Sequence, residues 1–157
     1  KILGGGSIFD LGCYPISFFM LFVKDHSKIS IHSKNLSYSS NGVDDDAKAI
    51  LEYDNKFTAN IHVSFKENLD NCCIIQGTKG FIKIKDPWLP NLSSEIEVSN
   101  NNHFYLKTIN SKFSVYTNQI EKVSESFINP NAKINLFNIE KSLINMRLIS
   151  NWMDNKN

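Results

Sequence analysis

A chain of 157 residues with 41% hydrophobic and 21% charged residues has the makings of one globular domain with a substantial core. Its net charge of +1 argues against a nucleic-acid platform, and its single arginine, Arg147, leaves no guanidinium cluster to clamp phosphates. Three cysteines, Cys13, Cys72 and Cys73, have neither metal-ligand spacing nor an even count, which fits free thiols in a reducing cytosol and a cytoplasmic protein. The apolar run over 16–23 is too short to span a bilayer, and no signal peptide is visible, so no membrane partner is expected.

In chain order, Gly4-Gly5-Gly6 leads into a helix for which Ser7 is a good N-cap, with Phe9, Leu11, Ile16, Phe19 and Phe22 giving the apolar bias. Residues 24–27 read as a polar turn. Ile29 and Ile31, then Leu36 and Tyr38, predict a strand whose alternation changes phase, the signature of a bulge. Residues 39–46 read as a polar connection. Strands over 47–53 and 57–65 form a hairpin around Asp54-Asn55-Lys56. In the second, Phe57, Ala59, Ile61, Val63 and Phe65 face the core while Thr58, Asn60, His62 and Ser64 face the other way. Two further hairpins are predicted, over 72–76 and 81–85 across Gly77-Thr78-Lys79-Gly80, and over 95–99 and 104–109. Helices over 116–128 and 138–153 follow, separated by Asn129-Pro130-Asn131, and the last residues should fray. This order, without βαβ alternation, predicts an α+β fold over 1–157: an open, mostly antiparallel sheet with helices on one face.

Asp10 and Tyr14 stand four apart and share a helical face, Asp10 in the first turn where the helix dipole favours negative charge. Two readings stay open from the residues alone: a device for moving a proton, or a capping carboxylate beside a half-buried tyrosine. Asp44-Asp45-Asp46 reads as a solvated pre-strand loop before a cation site, having no spaced ligand set. Gly77-Thr78-Lys79-Gly80 reads as a hairpin turn, because a phosphate loop would open a helix. The four histidines lack zinc spacing, so no metal is expected, and His62 reads as a surface or interface residue. Cys13 reads as a small packing residue. Trp88, on the stiff loop Asp86-Pro87-Trp88-Leu89-Pro90, reads as a local hydrophobic plug, a wall of a substrate pocket or a subunit-contact residue. No Gly-x-Gly-x-x-Gly follows a strand, so no dinucleotide-binding residues are expected here.

The run Gly4-Gly5-Gly6 to Asp10-Leu11-Gly12-Cys13-Tyr14 resembles the helix opening the second domain of the glucose–fructose oxidoreductase / inositol dehydrogenase family. Gly42-Val43-Asp44-Asp45-Asp46-Ala47, Gln76-Gly77-Thr78-Lys79-Gly80, Pro87-Trp88, Gln119-Ile120-Glu121 and Ser142-Leu143-Ile144-Asn145-Met146 continue the likeness in the family's order. The resemblance implies the C-terminal domain of an NAD- or NADP-dependent oxidoreductase acting on a sugar, polyol or cyclic diol, with the dinucleotide held by an absent N-terminal Rossmann domain. It implies Tyr14 as the proton-transfer residue, in the position that is tyrosine in dihydrodiol dehydrogenases and histidine in inositol dehydrogenases, with Asp10 as its partner. A free tyrosine has a pKa of about 10, so help from a cation is expected, and the family's lysine lies in the absent domain. A homo-oligomer formed through the open sheet face is also implied. A ligand-sensing regulator of the same family, or a sheet module that only mediates assembly, are the alternatives.

Overall fold

The computed structural model describes residues 5–101, 103–129, 131 and 137–154. The Pro130 separator and the last three residues fall outside that set. The chain divides into two compact units, residues 1–69 with 137–157, and residues 70–136.

In the first unit a π-helical turn, Ile8–Gly12, runs directly into α1 (Cys13–Met20). Strands β1 (Ile29–Tyr38), β2 (Asp44–Tyr53) and β3 (Phe57–Ser64) then form an antiparallel sheet in that order. The hairpin between β2 and β3 turns on Asp54 and Asn55, with φ of 49° and 52°, a left-handed conformation these two side chains tolerate well. The expected bulge in β1 is present: Ile31 pairs Leu51 while Ser33 pairs Ile50, leaving His32 as the extra residue. That shift lets both Ile31 and Leu36 face the core.

One face of this sheet, bearing Ile29, Ala47, Ala49, Leu51, Ile61 and Val63, packs with Ile8, Ile16, Phe19 and Met20 of the first helical segment. Leu148, Ile149 and Trp152 complete the core; they come from the C-terminal helix (Ile139–Met153), in which positions i, i+1 and i+4 share one face. The side chain of Asn138 caps that helix by accepting the Lys141 N–H at 3.0 Å. At its other end Lys34 Nζ donates to the carbonyls of Asn151, at 2.7 Å, and of Asp154, filling acceptors the helix leaves open. The opposite face of β3 carries Thr58, Asn60, His62 and Ser64, none of them buried.

In the second unit β4 (Cys72–Gly77), β5 (Gly80–Lys85), β6 (Ser93–Asn100) and β7 (His103–Asn110) form a four-stranded antiparallel sheet in chain order. Gly80, at φ +150°, is required in its turn, because a Cβ there would lie 1.9 Å from the Ser99 carbonyl oxygen. Helix α2 (Val115–Ile128) follows, its N-terminus capped by Ser114 accepting the Thr117 N–H. The C-terminal helix is therefore α3. Seven strands among the described residues, all paired antiparallel, with three α-helices make an α+β fold.

Three expectations change. Ser7 is not an N-cap: its backbone is already helical and its side chain accepts nothing from the helix. Phe9 and Phe22 point outward at 42% and 47% exposure, while Ile8, Ile16, Phe19 and Met20 are the buried positions. Asp44 and Asp45 belong to β2 and are buried at 2% and 8% exposure, where a solvated loop was expected.

Candidate functional site at the glycine-rich helix start

The first helical segment is held from three directions. At its start Asp44 Oδ2 accepts the Ser7 hydroxyl at 2.9 Å and the Ile8 N–H at 2.7 Å, so a strand residue supplies the cap that Ser7 does not. Gly6, at φ +109°, makes this possible, since a Cβ on it would lie 1.9 Å from Asp44 Oδ1. Behind the segment, Gly12 admits the Trp152 ring: a Cβ there would stand 3.1 Å from Trp152 Cζ3. Trp152 is itself fixed by its indole N–H, which donates to the Lys48 carbonyl at 3.1 Å. Further on, the buried Asn145 amide donates to the Cys13 carbonyl at 3.1 Å and to Ser17 Oγ at 2.7 Å.

Asp10 and Tyr14 project outward from this fixed segment. Both are exposed, Tyr14 at 44%. Phe9 and Phe22 of the same stretch are also exposed, and the Phe18 and Phe22 ring centroids lie 5.3 Å apart. Cys13 lies between Asp10 and Tyr14 and is half-buried; burial pushes its thiol up, and the neighbouring Asp10 charge adds to the effect, so it is a poor nucleophile.

The aspartate triplet serves three different ends. Asp44 caps the helix start. Asp45 accepts the Ser37 hydroxyl at 2.7 Å and pairs with Lys66 at 3.1 Å. Burial raises its pKa, but those two hydrogen bonds and the lysine charge outweigh it and hold the carboxyl below the ordinary range. Asp46 points to the other face and meets His62 Nε2 at 2.7 Å; the hydrogen bond from His62 is the main cause of its lowered pKa.

Asp46, His62 and Glu67 bring one ligand atom each within 4.8 Å of one another, the set among the described residues that comes nearest to a metal site. Nitrogen and oxygen ligands about 2.0–2.1 Å from a tetrahedral zinc stand about 3.3 Å apart, wider than the Asp46–His62 contact, and Glu67 is exposed. The pair is satisfied as it stands. No described strand passes through a glycine turn into a helix. No described helix is long and apolar enough to cross a membrane.

The supporting roles of Asp44, Gly6 and Asn145 were not read from the sequence motifs that contain them, and Trp152 was in none of those motifs. The alternation Ala47, Ala49, Leu51 places Asp45 inward and Asp44 outward. The pairing Ser37 with Asp46 but Tyr38 with Asp44 skips Asp45, and this second bulge turns Asp44 to the helix side.

Residues 1–83 match the GFO/IDH/MocA C-terminal domain. The chain is 35% identical over 91 residues to trans-1,2-dihydrobenzene-1,2-diol dehydrogenase of Xenopus tropicalis, covering 57% of this chain and 27% of that protein. The corresponding enzyme of Oryctolagus cuniculus is 30% identical over 87 residues, 55% of this chain and 26% of that protein. The chain thus spans about a quarter of the length of the curated relatives it matches. Among solved structures, a 3-ketoreductase from Actinomadura kijaniata, in complex with TDP-benzene and NADP, superposes with a TM-score of 0.77 at 17% identity, over 94% of this chain and 46% of that one. An aldose-aldose oxidoreductase from Caulobacter crescentus, complexed with glycerol, gives 0.77 at 17% identity over 93% and 44%. At that identity these likenesses speak for the fold. With more than half of its length matched, the chain belongs to the GFO/IDH/MocA C-terminal domain family of oxidoreductases.

Proposed function

We propose that this chain is the substrate-binding and dimerisation domain of an NAD(P)-dependent oxidoreductase acting on a sugar, polyol or cyclic diol, with Tyr14 moving the proton. The observation that carries the reading is the exposed Asp10–Tyr14 pair on a segment fixed by Asp44, Trp152 and Asn145, within the family-matched residues. The names of the relatives favour a diol, and those of the structural neighbours a sugar.

The nicotinamide, held outside these residues, supplies hydride transfer at the substrate carbon. The Tyr14 hydroxyl exchanges the proton of the substrate oxygen, and Asp10 orients that hydroxyl or the substrate. Phe9 and Phe18 cover the apolar side of a ring. Tyr14→Phe in the full-length enzyme keeps the ring and removes the hydroxyl. It should bind NADP normally and lose about 10²–10⁴-fold in turnover of a trans-dihydrodiol, as expected for general acid–base catalysis. Unchanged turnover with only a lower thermal midpoint would make the pair structural.

The face of β3 carrying Thr58, Asn60, His62 and Ser64 is uncovered by helices and polar, suited to a hydrated contact between two copies. Light scattering on the full-length protein tests this part: a strict monomer at tens of micromolar contradicts it.

A further inference from the structure

Asp44 is an uncommon helix cap. It is 36 residues away in sequence from the Ile8 N–H it accepts, sits on a bulge in β2, and is 2% exposed. Both of its hydrogen bonds, from the Ser7 hydroxyl and the Ile8 N–H, converge on Oδ2, while Oδ1 occupies the space that a side chain at Gly6 would need. Ser7, placed where a local cap would do, gives its hydroxyl to Asp44 instead. The carboxyl group is therefore enclosed on three sides by the first backbone of the segment that presents Asp10 and Tyr14.

We infer that Asp44 is a positioning residue for Tyr14: it fixes the origin of the helical segment against the sheet and so sets where the Tyr14 hydroxyl meets the substrate. The inference rests on Tyr14 being the proton-transfer residue. Stability alone does not call for this arrangement, because the core beneath the segment is already anchored by Trp152 against Gly12 and by Asn145 on the Cys13 carbonyl. Those two contacts hold the middle of the segment, at Gly12 and Cys13, whereas Asp44 holds its first turn, at Ser7 and Ile8. A misplacement of about 1 Å at a reacting group costs roughly 10²-fold in rate, so a lost anchor reads out in turnover before it reads out in folding.

The test is a double-mutant cycle in the full-length enzyme with NADP and a trans-dihydrodiol. Asp44→Asn should lower kcat roughly 10–10²-fold with KM and NADP binding little changed. Tyr14→Phe should cost more. In the Tyr14→Phe background Asp44→Asn should cost less than about threefold further, because residues acting as a unit are not additive. Ser7→Ala, which deletes one of the two hydrogen bonds without touching the carboxyl group, should lower kcat several-fold at unchanged KM, and decides the matter if Asp44→Asn does not fold. Wild-type turnover in Asp44→Asn, or in Ser7→Ala where the first cannot be read, beside an impaired Tyr14→Phe overturns the positioning role alone. A full additional loss from Asp44→Asn in the Tyr14→Phe background also overturns it. Wild-type turnover in Tyr14→Phe overturns the assignment of Tyr14 and this inference with it.

Discussion

The two units solve the same problem, an antiparallel sheet with one apolar face, in opposite ways. In the first, the apolar face of β1–β3 is closed by α1 and α3, and every fully buried hydrophobic residue of the described chain, from Ile8 to Trp152, lies there. In the second, the rows Ile75–Ile82–Val98–Tyr105 and Cys73–Ile84–Ile96 align on one side of β4–β7, yet no described residue of 70–136 is buried. Both sheets have complete ladders, so hydrogen bonding does not distinguish them; burial does. At about 25 cal/mol per Å² of apolar surface removed from water, full burial places the larger hydrophobic contribution in the first unit, while Ile75, Ile84, Ile96 and Val98 of the second are only half-buried. The first unit also carries the candidate site, which needs rigid support.

Trp152→Ala should show the difference most strongly. The side chain is fully buried, fills the space over Gly12 and donates to the Lys48 carbonyl, so its removal should cost about 3–5 kcal/mol. Amide hydrogen exchange should accelerate across β1–β3 and stay unchanged across β4–β7. Equal acceleration in both sheets would show one cooperative unit and erase the contrast.

Gly6→Ala follows, at roughly 2–4 kcal/mol from the left-handed backbone and from expelling Asp44. A Cβ 1.9 Å from Asp44 Oδ1 leaves no room for both, and that oxygen belongs to a buried group with nowhere else to go. Urea unfolding followed by tryptophan fluorescence in a Trp88→Phe background, where Trp152 is the remaining indole, would measure it. A loss below about 0.5 kcal/mol, the size of an ordinary surface substitution, would mean that Asp44 moves aside freely.

Strand pairing was legible wherever period-2 alternation met a turn residue. Ala47 to Val63 around Asp54-Asn55-Lys56 and the Gly80 hairpin both form as the pattern implies. The phase change between Ile31 and Leu36 announced the first bulge. The four-residue spacing of Asp10 and Tyr14 was legible because it is a local property, and both side chains are exposed on the first helical segment. What supports the pair was not visible, because each support is a long-range contact between residue types that have ordinary local explanations. Asp44 sits in a polar run, Asn145 in an amphipathic helix, and Gly12 in a short motif beside Asp10 and Tyr14. The bulge that turns Asp44 inward arises from pairing with Tyr38, which alternation along β2 alone does not encode. Nor does a period-2 pattern state whether its apolar face finds a cover, which is the whole difference between the two units.

A smaller effect separates the two faces of β1–β3. His62 holds the Asp46 carboxyl below its ordinary pKa, with Ser64 and Lys48 contributing in the same direction. A carboxyl lowered in the folded state stabilises the fold above the ordinary aspartate value of about 3.9, and that contribution is lost as the pH falls through the lowered value. The thermal midpoint of His62→Ala should therefore lie below that of the wild type above the ordinary aspartate value of about 3.9, and the gap should close as the pH falls below it. A gap of constant width would assign the effect to packing instead of to the ion pair.

The smallest effect is expected in the second unit. Phe104 on β7 is 61% exposed and pairs with Ser99 across the ladder, on the face where Phe81 and Gln76 continue the row. With so little area removed from water, Phe104→Ser should change stability by no more than about 0.5 kcal/mol, the ordinary range for a surface substitution. The same substitution in the full-length protein sharpens the comparison. If β4–β7 stays open there, the variant remains neutral and the second unit rests on its ladder alone. A loss near the 3–5 kcal/mol expected for Trp152→Ala would instead mean that Phe104 is buried in the assembled protein. The contrast between the units would then describe this stretch of chain, and the second sheet would be a face completed by another part of the protein.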